Sequence, residues 1–190
     1  AAMGGARVPL VEVYDRAEDV ISESGGAMRL GTGVARIGER EVETTAGEVL
    51  EADRVVCALP AERAAKVIGA EDPRIAQLAA SEHSPILGVH LKFDRPVMTT
   101  PNAVLVGRDT HWLFRKDEAG AHAHAVSSGA DAWMGMSEDA IVQKVLGDIR
   151  ACILSSMGAQ VTWARAVKEK RATFVPSVEA EVNRPTTTGE

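Results

Sequence analysis

Cysteine is scarce in this 190-residue chain: Cys57 and Cys152 are the two present, far apart and each inside an apolar run. That excludes a disulfide framework and a cysteine-built zinc cluster, and reads as two buried thiols. Aromatic residues make up 4% of the sequence, with one Tyr and three Phe, which disfavours an aromatic cage around a cationic amine. Trp112, Trp133 and Trp163 share no spacing and read as core or interface residues rather than a stacking platform. Positive charge is short as well. The 21 Lys and Arg are scattered and outnumbered by 27 Asp and Glu, for a net charge of -6, so no grip on nucleic-acid phosphates is expected. No apolar run approaches the roughly 20 residues that span a bilayer, and no basic-then-apolar leader opens the segment. Neither a membrane span nor an export signal is expected within it, and peripheral contact with a membrane stays open.

What is present is an ordinary globular composition, 45% hydrophobic and 25% charged, long enough for one domain or one domain carrying part of another. Leu10, Val13, Tyr14, Ala17, Val20 and Ile21 recur at three and four, which predicts a helix over 10–24 ended by Ser24-Gly25-Gly26. "AMRLGTGVARI", "REVETTAG" and "EVLEADRVVCAL" then read as a small meander, its last part, Arg54 to Leu59, a buried strand stopping at Pro60. "AERAAKVIGA" and "DPRIAQLAAS" predict two short helices, the second capped by Asp72 with Pro73 at its first position. In "ILGVHLKFD" the period changes to two, with Leu87, Val89, Leu91 and Phe93 on one side and Gly88, His90, Lys92 and Asp94 on the other. Further strands are expected at 103–107, 111–115 and 122–128. Ser137 is the expected cap of a helix whose face carries Ile141, Val142, Val145, Ile149, Cys152 and Ile153, and a final strand runs over 160–174. The fold class is α+β: a mainly antiparallel sheet with packed helices, joined to the meander.

Few side chains nominate chemistry. His122 and His124 stand two apart, so on a strand they face the same side and could chelate a metal, but no spacing demands a third ligand from His83, His90, His111 or a carboxylate. They read as part of a solvated sheet face, and no metal is expected. Ser127-Ser128-Gly129 lacks the strand-to-helix elbow of a hydrolase nucleophile. "GTGVAR" has two glycines but opens no helix, so it does not cradle a pyrophosphate. Arg171, in "EKRATF", reads as an exposed strand edge, with lining of a ligand cavity as the alternative.

Taken in series, "VPLVEVYDRAEDVISESGGAMRLGTGVARIGEREVETTAGEVLEADRVVCALP" resembles the middle of FAD-dependent amine-oxidase-type proteins: a helix, Gly-Gly, a V-x-x-I strand, a glycine-turn meander and A-D-x-V-V-x-A-x-P. Within that superfamily it looks most like the phytoene desaturase and hydroxysqualene dehydroxylase branch. The tail "AVKEKRATFVPSVEAEVNRPTTTGE" is similar to that branch's approach to a C-terminal FAD-binding strand. The resemblance implies adenine recognition by the backbone of Val34, and a flavin neighbourhood at Ala58, Leu59 and Pro60. It names no catalytic acid or base. The dinucleotide fingerprint and the Gly-Asp motif of such proteins do not occur in this sequence, so the expectation is a fragment: residues 1–60 from the FAD domain, 61–175 the substrate-binding domain, and 176–190 a tail returning to the FAD domain.

The activity implied is that of an FAD-dependent oxidoreductase of desaturase or dehydrogenase type acting on a long apolar isoprenoid, such as a carotenoid precursor or hydroxysqualene. The sheet around 86–93 and 103–128, covered by the helix at 138–157, is expected to form the substrate walls. FAD belongs to the parent enzyme and is not expected to stay with this fragment, which is itself expected to be inactive. The expected partners are an apolar small molecule and the remainder of the FAD domain, in the cytoplasm with peripheral membrane contact left open. An amine oxidase is the runner-up, and a stand-alone module binding an apolar ligand or a protein, without redox activity, is the alternative from another class.

Overall fold

A computed structural model describes residues 10–68, 75, 77, 81–182 and 184. The second short helix expected after Pro60, with its Asp72 cap, lies almost wholly outside the described residues. The chain divides into two compact units that part between residues 79 and 80.

In the first unit, α1 (Leu10–Tyr14) and α2 (Ala17–Glu23) precede a three-stranded antiparallel meander of β1 (Val34–Ile37), β2 (Glu41–Thr44) and β3 (Val49–Glu51), in that order across the sheet. The turn after β2 is fastened by Thr44, which is buried and accepts the Glu48 amide on Oγ1 at 3.1 Å. α3 (Ala61–Ile68) starts where the Pro60 carbonyl accepts the amides of Arg63 and Ala64 at 2.8 and 2.9 Å, and it packs on β1.

Two expectations fail in this unit. The helix read over 10–24 is broken by a turn at Asp15 and Arg16. Of its stripe, Tyr14 is 72% and Val20 54% exposed, and helices shorter than about 12–15 residues are marginal without a face to bury. The apolar run Arg54 to Leu59 forms no strand, and Val56 is 90% exposed. A run of that kind is stable as a strand only with sheet neighbours and cover on both faces, which no described residue provides.

The second unit is built on a five-stranded antiparallel sheet. Its members are β4 (His83–Phe93), β5 (Asn102–Val104), β6 (Trp112–Arg115), β7 (His122–Ser128) and β8 (Val161–Phe174), in the order β5-β6-β7-β4-β8. β4 is its spine, bonded to β7 and β8 along most of its length. The period-two pattern of the sequence becomes two faces. Leu87, Val89, Leu91 and Phe93 of β4, Leu113 of β6, and Ala123 and Ala125 of β7 form one buried layer. Onto it packs α5 (Glu138–Cys152), through Ile141, Val145, Leu146 and Ile149, while α4 (Asp131–Met134) adds Trp133. The Ser137 hydroxyl accepts the Ala140 amide at 3.2 Å, so the cap read in the sequence is present. A short 3-10 turn, Leu154–Ser156, and a last helix, α6 (Val178–Val182), complete the unit.

The thiols are not buried: Cys57 is half-buried and Cys152 exposed. Cys57 belongs to the run that finds no sheet. Cys152 continues the azimuth of the 141-145-149 stripe but is the last residue of the helix, where burial has already ended. Among the described residues no helix is long and apolar enough to cross a membrane.

Candidate functional site

Because α5 covers one face of the large sheet, the side chains of opposite parity form the other. On β4 these are Gly88, His90 and Lys92; on β7, His122, His124 and Val126; on β6, Trp112 and Phe114; on β8, Trp163, Arg165 and Val167. Register sets them side by side, with His90 opposite His124 and Arg165, His124 opposite Phe114, and Lys92 opposite His122. As expected of the helix read at 138–157, α5 covers one side of the sheet. The helix lies over the core layer, and the half-buried face turned away from it carries the chemistry-bearing side chains.

At the centre of that face three imidazoles meet. His90 and His124 stack with centroids 4.0 Å apart and planes within 5°. His90 Nδ1 lies 3.2 Å from His122 Nε2, so one ring donates to the other. The stack depends on Gly88, since a Cβ there would stand 2.8 Å from His124 Nε2. Trp112 and Phe114 stack beside the imidazoles at 5.9 Å, and Lys92 lies over the Trp163 ring at 5.4 Å.

Electrostatics keep these rings neutral. Burial pushes the His124 pKa down to about 4, helped by its coupling to His90, Lys116 and His122, since protonation of one ring disfavours protonation of the next. His90 is lowered by burial and then by His122 and Lys116. His122 is lowered by burial and Lys92, with Asp117 pulling the other way. The Asp117 carboxylate also accepts the His122 amide at 3.0 Å, which fixes the start of β7.

The histidine pair of the sequence thus gains His90 as its third member, while His111 is engaged elsewhere, its Nδ1 accepting the Ser128 amide at 3.2 Å. Among the described residues no group of His, Cys, Asp and Glu is arranged to hold a metal ion. Ser127 is buried on the helix side and donates its hydroxyl to the Asp109 carbonyl at 2.8 Å, so no serine–histidine pair forms. Trp133 is core, as read, but Trp112 and Trp163 belong to the open face. That pair of aromatic positions was legible only as alternation within "HWLFR" and "QVTWARAV".

Val34 is half-buried on β1, an edge strand of the meander. Ala58, Leu59 and Pro60 are exposed just ahead of α3. Arg171 is exposed on β8, within the irregularity between Glu169 and Thr173, and its amide donates to the Glu169 carboxylate at 3.1 Å. The structure gathers Ala58, Leu59 and Pro60 by sequence alone and does not bring Arg171 into the imidazole cluster. A broad cleft of about 730 Å³ opens on the meander among Arg36, Arg40, Glu41, Glu51 and Asp53. Its lining is charged and solvent-facing, and Arg36 is already paired with Glu41 and Glu43, so it offers no apolar or catalytic surface.

Residues 2–182 match the profile of the flavin containing amine oxidoreductases, and the chain belongs to that family. A hydroxysqualene dehydroxylase from Sinorhizobium fredii (strain NBRC 101917 / NGR234) is 24% identical over 178 residues, which are 93% of this chain and 40% of that protein. Among solved structures, reduced UDP-galactopyranose mutase superposes with a TM-score of 0.67 at 8% identity, over 90% of this chain and 40% of the other. Cyclohexylamine oxidase from Brevibacterium oxydans IH-35A gives 0.62 at 14%, over 89% and 42%. These likenesses establish the fold. The chain spans about two fifths of the length of each of these three relatives.

Proposed function

We propose that this chain is the substrate-binding part of an FAD-dependent oxidoreductase together with a small portion of its cofactor domain, and that the open sheet face is the wall on which a long apolar isoprenoid lies. The observation that carries this reading is the face itself. Trp112, Phe114, Val126 and the imidazoles are half-buried on the sheet, on the face that the described helix α5 leaves uncovered. Rigid aromatic surface with a few polar atoms is what an elongated apolar ligand needs for orientation and exclusion of water. The hydroxysqualene dehydroxylase likeness over 93% of the chain supports an isoprenoid over an amine.

The residues present fit one side of a flavin nucleotide. β1 is an edge strand, so alternate backbone N–H and C=O groups point away from β2, the kind of group that reads adenine at Val34. Ala58, Leu59 and Pro60 present exposed apolar backbone beside which the isoalloxazine would lie. When bound, FAD supplies hydride chemistry, and the chain contributes position and dryness. The described residues include no glycine-rich turn opening a helix, so the pyrophosphate grip falls to the remainder of the FAD domain, the proposed partner. The proposed division is 1–60 with the cofactor, 61–175 with the substrate and 176–190 returning to the cofactor domain. Arg171 is proposed as a residue of the substrate cavity's rim, and the site of action as cytoplasmic with peripheral contact to the membrane that stores the substrate.

Photolabelling with a diazirine-bearing farnesyl probe, followed by peptide mapping, tests the wall. Crosslinks are expected on 86–92, 112–114, 122–126 and 163–167. Crosslinks confined to other segments would overturn the reading.

A further inference from the structure

Resting on the wall reading above, we propose that the His90–His122–His124 ladder is a subsite for a neutral oxygen function, an alcohol rather than a protonated amine, carried by an otherwise apolar substrate. The ring nitrogens make the first part of the case. The 3.2 Å contact uses Nδ1 of His90 and Nε2 of His122, and no other group among the described residues takes up His90 Nε2, His122 Nδ1 or either nitrogen of His124. Half-buried polar atoms on an apolar face favour a ligand that can both donate and accept, and a hydroxyl does both. Parallel rings 4.0 Å apart cannot both be imidazolium without strong repulsion, and each neutral imidazole offers one donor and one acceptor nitrogen.

The surrounding charge makes the second part. The basic groups near the ladder are Lys92, the register partner of His122; Arg165, the register partner of His90 and unpaired among the described residues; and Lys116, whose charge reaches all three rings or their neighbours. On the acidic side stand Asp117, which already accepts the His122 amide, and Glu169, which lies two register steps from Gly88 and accepts the Arg171 amide. An alkylammonium placed against the imidazoles would meet the three cations Lys92, Arg165 and Lys116, with Asp117 the one carboxylate among the described residues whose charge acts on the rings. The Trp163 face is already covered by Lys92. A hydroxyl pays no such penalty.

The test is the affinity of the full chain for three probes of one length, farnesol, farnesylamine at pH 7.5 and the hydrocarbon farnesene, followed by the fluorescence of Trp112 and Trp163 and checked by calorimetry. Farnesol is expected to bind about tenfold or more tightly than farnesylamine. His124→Phe, which keeps an aromatic ring in the stack and removes both nitrogens, is expected to abolish the preference for farnesol over farnesene, read as the ratio of the two affinities in the same variant. His124→Gln is expected to restore part of the difference. Ring ¹⁵N shifts of the wild-type histidines on adding farnesol give a readout that does not depend on a variant folding, and movement of His90, His122 or His124 is expected. Equal or tighter binding of the amine, or a farnesol-to-farnesene ratio unmoved by His124→Phe with silent ring nitrogens, would overturn the subsite while farnesene binding keeps the wall. Failure of all three probes to bind would overturn the wall and the subsite with it.

Discussion

Acidification should destabilise the second unit through His124, and the structure sets the size and the pH window. The ring sits against His90 above Gly88, where burial and its coupling to His90, Lys116 and His122 push its pKa from 6.5 down to about 4. In the unfolded chain it titrates at its ordinary value, so as pH falls below about 6.5 the unfolded state binds the proton first. The stability tied to the neutral ring is complete above that value, declines through the interval and is gone once the folded ring protonates near 4. The fall of 2.5, from 6.5 to 4, corresponds to about 3 kcal/mol, and partial exposure of the ring reduces this through screening to about 1–2 kcal/mol. His90 and His122 are shifted in the same direction and add to the slope. Urea unfolding at pH 7.5, 5.5 and 4, for the wild type and for His124→Phe, isolates the contribution, because the variant keeps an aromatic ring in the stack and titrates nothing there. The wild type is expected to lose about 1–2 kcal/mol more than the variant across that range. Ring-resolved NMR showing His124 titrating near 6.5 in the folded protein, or parallel pH profiles for the two proteins, would refute the reasoning.

Two further outcomes concern the scaffold that holds the face. Gly120 has φ +75°, and a Cβ there would stand 2.1 Å from the Met98 carbonyl oxygen, while its own carbonyl accepts the amides of Val97 and Met98. Gly120→Ala should cost at least about 2 kcal/mol, read as a lowered urea midpoint, and an unchanged midpoint would contradict this loop geometry. Ser137→Ala removes the hydroxyl that caps α5, at a cost of about 1 kcal/mol, with Ser137→Asp retaining most of the stability in the same assay.

Much of the second unit was legible in the sequence because its signals are local. Alternation in "ILGVHLKF" fixed which side chains of β4 share a face, and the spacing from Ile141 to Ile149 with Ser137 before it fixed the helix that covers the core. The failures lie where a signal needs a partner. The stripe of residues 10–21 and the run from Arg54 to Leu59 are written for burial, and among the described residues none of their side chains is fully buried; one breaks into two short helices and the other stays without sheet pairing. Cys152 looked buried because the stripe was extended by one position too many.

The candidate site divides in the same way. From the sequence alone, His122 and His124 share a side of one strand, since side chains on a strand alternate with period two. The third imidazole stands 32 residues away from His122, and only the pairing of β4 with β7 sets His90 opposite His124, with Gly88 giving the ring room to stack. Periodicity is a property of the chain and can be read along it. Register between distant strands, and with it which face is covered and what charge surrounds a ring, is settled by packing the whole sheet on one helix.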